Sequence, residues 1–128
     1  MKRLFRVSLV LVFMLFIVAV VRGEDIFRPT SYEALTIDDT AGGVPLTVAK
    51  YFTAATSKIV ADYAVFAVET AQVRFTVDGT APTTTVGVLL NPGQMWILST
   101  FEELKNFRMI RVGGSAALKV MYFKRYRQ

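Results

Sequence analysis

The chain has 128 residues, enough for one domain and a short extra segment. It holds no Cys and no His, which removes disulfides, thiol redox chemistry, haem ligation through His and the usual zinc ligand set. The formal charge is +5, but Lys2, Arg3, Arg6 and Arg22 precede the body, where eleven basic residues meet ten acidic ones, a balance near +1. With no basic stripe or nucleic-acid motif, a nucleic-acid partner is not expected.

Met1–Gly23 reads as a targeting or anchoring segment. Three cations precede Val7–Val21, fifteen residues of which only Ser8 is polar. As a helix that run is roughly 22 Å long, against about 30 Å for a bilayer core. A secretory signal peptide cleaved after Gly23 is the first reading. An uncleaved membrane anchor is the second, counting from Leu4 with Arg6 snorkelling. A helix buried in a larger assembly is the third.

Glu24–Thr40 is a polar lead-in that turns extended at Pro29, with Tyr32, Leu35 and Ile37 as candidate inward residues. Asp38-Asp39-Thr40 and Ala41-Gly42-Gly43 make a turn; two adjacent aspartates fall short of the six or more oxygens that Ca²⁺ takes. Pro45–Phe52 is the next expected strand, with Leu46, Val48 and Lys50 on one face, and Thr53–Lys58 is a loop. Ile59–Glu69 is apolar on both faces, Tyr63, Val65 and Ala67 alternating with Ala64, Phe66 and Val68. Such a strand is either central and covered twice, or half covered by a neighbouring subunit.

From Val73 to Asp78 the alternation is strict, Val73, Phe75 and Val77 against Arg74, Thr76 and Asp78, the period of a half-buried strand. Asp78-Gly79 breaks it, and a Thr-rich segment containing Pro82 runs to Gly87. Val88-Leu89-Leu90 and Met95-Trp96-Ile97-Leu98 are two more strands, separated by the turn Asn91-Pro92-Gly93. Ser99 with Glu102, or Thr100 with Glu103, matches a capping box, so a short helix follows with Phe101 and Leu104 on one side and Asn106 as its stop. Phe107–Val112 and Ala116–Phe123 read as a hairpin about Gly113-Gly114-Ser115. Lys124-Arg125-Tyr126-Arg127 reads as a solvated basic tail.

The expected fold is all-β: an antiparallel β-sandwich over 24–128, jelly-roll or immunoglobulin-like, with one short helix, preceded by an N-terminal hydrophobic helix over 1–23. Without His or Cys no Ser–His or Cys–His pair can be assembled. Every Asp and Glu reads as a turn, helix-start or solvent-facing residue, and Glu102-Glu103 suits the first turn of a helix, where the dipole favours anions. The glycine pairs join strands rather than a strand to a helix, so they are not phosphate loops. Neither a cofactor nor a metal is expected, and the body reads as a binding or structural module.

The order TAQVRFTVDGTAPTTTVGVLLNPGQMWIL, then FEELKNFRMIRVGGSAALKVMYF, resembles small structural proteins of tailed bacteriophages, and the leading IFRPTSYEALTI is similar to the way such proteins begin. The likeness covers most of Ile26–Phe123 and rests on turn and strand motifs. It implies a virion component of the decoration, fibre-base or accessory type, packed in multiples on a larger protein shell, and carries over no catalytic residue. Self-association and contact with other virion proteins are therefore the expected partnerships, with Tyr63, Phe66, Trp96 and Met121 as candidate contact residues. Lys2–Val21 departs from that pattern. It leaves open an exported or membrane-anchored bacterial binding module, touching a membrane through residues 1–23.

Overall fold

Alternating apolar residues with turn signals between them give short strands, and among the described residues nine are present with one α-helix. They are β1 (Asp25–Ile37), β2 (Phe52–Thr53), β3 (Lys58–Ile59), β4 (Tyr63–Glu69), β5 (Val73–Thr76), β6 (Val88–Leu90), β7 (Met95–Leu98), α1 (Phe101–Asn106), β8 (Arg108–Arg111) and β9 (Ala116–Arg127). The computed structural model describes residues 23–127. The N-terminal helix expected over 1–23 lies, apart from Gly23, outside the described residues.

One sheet has the order β1-β9-β4-β7 and a second β6-β5-β8, with every pairing antiparallel. A bridge from Val44 to Met109 extends the second sheet past β8, and β2 pairs with β3 as a small separate ribbon. The pairings are nested. β5 meets β6, β4 meets β7, Val44 meets β8, and β1 meets β9, as in one long hairpin wrapped on itself.

The inner faces of both sheets share a core. Phe66 of β4, Phe75 of β5 and Phe107 ahead of β8 meet with ring centroids 5.3–5.9 Å apart, and all three are buried. Each such side chain contributes about 1.5–3 kcal/mol by leaving water. Helix α1 begins as the sequence predicts. Thr100 accepts a hydrogen bond from Glu103 N–H at 3.2 Å, and the Glu103 carboxylate accepts from Thr100 N–H at 3.2 Å. Leu104 is buried beneath it, and Phe101 packs on Tyr51 and Phe52.

Several expectations are corrected. Pro45–Phe52 is not a strand: Pro45 has no N–H to give a ladder, pairing stops at Val44, and Val48–Lys50 forms a 3-10 turn with Leu46 buried and Val48 exposed. Ile59–Glu69 is interrupted, because Val60 and Ala61 both donate to the Tyr51 carbonyl and the strand starts only at Tyr63. Gly113-Gly114-Ser115 is not a hairpin turn. It carries the chain from β8 in one sheet to β9 in the other, with Gly114 at φ 70°. The basic residues Lys124–Arg127 are no free tail, since β9 runs to Arg127 and pairs there with Asp25–Arg28. Tyr32 points outward and Glu33 inward, because Leu35 and Ile37 set the phase of β1.

Candidate protein-contact surface

Opposite residues in an antiparallel ladder share a face, so the registers of the four-stranded sheet fix what its outer side carries. Tyr32, Met121, Val65 and Ile97 form one row across all four strands, and Ala34, Lys119, Ala67 and Met95 form the next. At the end nearest Asp25, the Tyr63 ring lies 4.6 Å from Phe27 and 5.8 Å from Phe123. Tyr32 is 50% exposed, Met121 40%, Ile97 51% and Met95 65%. Lys119 is the one charged side chain in the two rows, 3.9 Å from Glu69. Among the described residues, β4 is therefore covered on its Ala64, Phe66 and Val68 side, while Tyr63, Val65 and Ala67 stay half open.

Of the four residues singled out from the sequence, Tyr63 and Met121 lie on this outer face. Phe66 does not. It is 0% exposed and belongs to the core, with no surface to offer a partner. Trp96 stands opposite Phe66 on the inner side, but β7 is an end strand, so the indole packs on Phe75 at 5.3 Å and stays 43% exposed. Tyr32, Val65, Met95 and Ile97 were missed. The alternation of Met95 and Ile97 with Trp96 and Leu98 is the signal that could have found them.

β7 ends one sheet and β6 ends the other, joined by the turn Asn91–Gln94, so the two strands form a common edge. Gln72 and the backbone of Val68 hold that turn, through Asn91 Oδ1 at 2.7 Å and Gly93 N at 2.8 Å. Between the strands lies a cleft of about 410 Å³ lined by Phe75, Val77, Val86, Val88, Trp96 and Glu103. Its rim is shaped by Arg74, which donates to the Thr84 and Gly87 carbonyls at 2.9 and 2.8 Å. Gly87 has φ 111° and approaches the Phe75 backbone so closely that an added Cβ would sit 2.8 Å from its carbonyl oxygen.

No family model, curated protein or solved structure matches the chain.

The charged groups serve local structure. Asp38 accepts from Thr40, whose hydrogen bonds hold its carboxyl below the usual range, and Asp39 pairs with Arg111 at 3.2 Å. Asp62 holds Lys124 Nζ at 2.6 Å and Arg125 N–H at 2.9 Å, while the Arg125 guanidinium lies over Phe27 and donates to the Ser99 carbonyl. Glu33 overturns the expectation that every carboxylate faces a turn or water. It is buried, accepts from the Tyr122 hydroxyl, and accepts from Thr47 N–H at 3.3 Å. Burial, then the hydrogen bond to Glu33, pushes the Tyr122 hydroxyl far above its ordinary pKa. A polar pair of this kind ties β1 to β9 inside the core. Among the described residues no three Asp or Glu side chains gather as a metal would require, and no helix is long and apolar enough to cross a membrane.

Proposed function

We propose that this chain is a non-enzymatic structural protein that associates with copies of itself and packs on a larger protein shell, in the manner of a phage-like virion component. The observation that carries the reading is the outer row Tyr32–Met121–Val65–Ile97, an apolar stripe spanning a whole sheet. A monomer in water rarely leaves such a stripe uncovered, and a protein surface laid against it removes the cost. The fold class proposed with it is a β-sandwich of the jelly-roll kind. The nested pairing and the order β1-β9-β4-β7 facing Val44-β8-β5-β6 favour it over an immunoglobulin-like order, where the last strand would join the sheet of β8. Jelly rolls recur in capsid proteins, and that analogy lends weight without assigning a partner.

The apolar run Val7–Val21 favours a second reading, an exported or membrane-anchored bacterial binding module with this same body. Density-gradient fractionation of the producing cells, with the chain quantified by mass spectrometry, separates the two. The virion reading expects a fixed copy number per protein particle and an N-terminus at or next to Met1. A chain beginning at Glu24 and confined to the envelope or medium would replace it with the second reading.

A further inference from the structure

Resting on that reading, we infer that two copies join through β7, edge to edge about a two-fold axis, so that their four-stranded sheets become one eight-stranded sheet. An end strand exposes unpaired backbone N–H and C=O groups, and proteins usually blunt such edges with charge, proline or a bulge. Met95-Trp96-Ile97-Leu98 has none of these, nor does Val88-Leu89-Leu90 of β6 beside it. The carboxylates beside the cleft are turned to their own neighbours, Asp78 to Thr80 N–H and Glu103 to Ser99 and Thr100 N–H, and neither belongs to β6 or β7.

Residues directly opposite must share a face, which limits a two-fold pair to registers centred on a residue. The one proposed centres on Trp96, setting Met95 against Ile97 of the second copy and Trp96 against its equivalent on the axis. That arrangement sets the three exposed apolar side chains of β7 beside their counterparts and brings the two β6 strands together beneath them. Val86, Val88, Leu89, Met95, Trp96 and Ile97 together expose roughly 560 Å² per chain, apolar surface at the edge that the pairing draws on, along with its backbone, toward the ~800 Å² each partner gives to a standard interface. The outer faces of the two sheets then merge into a single broad apolar surface, the one assigned above to the shell.

The absence of cysteine from the chain makes a single introduced thiol a clean probe. Full-length Trp96→Cys and Met121→Cys proteins are oxidised mildly at equal concentration, and interchain disulfide is followed on non-reducing gels. Trp96→Cys is expected to cross-link nearly to completion, at least tenfold faster than Met121→Cys. Cross-linking through Met121→Cys alone, equally through both, or through neither would overturn the edge pairing. Full-length Ile97→Lys is expected to lose the dimer in sedimentation velocity, and a dimer that survives it would also overturn the inference. These outcomes stand apart from the particle fractionation: a virion protein that meets its copies only through the shell would pass that experiment and fail this one.

Discussion

The two edges of the molecule are built on opposite rules. On one side, β1 carries Arg28, Pro29 and a register shift between Pro29 and Ser31, and β8 carries Arg108 and Arg111 with Val44 bridged to Met109. Proline, charge, a bulge and a covering segment each stop another strand from pairing there. On the other side, β6 and β7 present Val88, Leu89, Met95, Trp96 and Ile97 to solvent with no such device. Among the described residues one edge is guarded by four such devices and the other by none, and the proposed association takes the unguarded one. The same contrast holds between the faces of β4: the inner one fills the core, and the outer one remains apolar and half open.

Substitutions can break or sharpen that contrast. The largest expected effect is on the core that both edges share. Phe66→Ala removes a ring in contact with Phe75 and Phe107 and should cost about 3–5 kcal/mol in denaturant unfolding. A variant that kept its stability but lost association would make Phe66 a contact residue after all. On the open side, Gly87→Ala forces a side chain against the Phe75 carbonyl at φ 111°, and a loss of about 1–3 kcal/mol is expected. Thermal unfolding checks it, and an unchanged midpoint would mean the close approach is relieved at no cost.

On the guarded side, Tyr122→Phe takes from Glu33 its hydroxyl partner and should cost about 1–3 kcal/mol. It carries a pH signature. Because the folded pKa of Tyr122 is raised, its contribution is complete below 10.0, the unfolded value, and falls as pH climbs past it. The unfolded chain then releases a proton that the folded one keeps. Stability curves from pH 8 to 11 should therefore drop less steeply in Tyr122→Phe than in the parent, and parallel curves would count against the buried pair. The smallest expected change in stability, within about 0.5 kcal/mol, belongs to Ile97→Lys, an exposed position whose loss should register in association alone. A large drop in its melting temperature would mean that Ile97 supports the fold itself.

Much of the local structure was legible. The alternation from Val73 to Thr76, the Asp78-Gly79 break and the capping box at Thr100 and Glu103 all depend on neighbours within a few residues, and each lies where the chain implies. The partners of each strand were not legible. Period two tells which residues share a face but not which strand lies alongside, so Gly113-Gly114 looked like a hairpin when β9 pairs with β1, some ninety residues upstream. The inward expectation for Tyr32 conflicts with period two itself, since Leu35 and Ile37 put Glu33, not Tyr32, on their face. Phe66 could be placed on an apolar face, yet nothing local says which of two apolar faces is core. Glu33 was out of reach for another reason. Its partner Tyr122 lies 89 residues away, and only the finished β1–β9 ladder brings them together.

Trp96 is the sole tryptophan of the chain and would lie on the two-fold axis, so its emission reports the central claim directly. Fluorescence of the full-length protein is followed through serial dilution. Association through β7 expects the emission to move to longer wavelength as copies separate and the indole meets water. Ile97→Lys should show the diluted value at every concentration. A parent spectrum that holds constant across the series while sedimentation reports dissociation would mean that copies meet somewhere other than this edge.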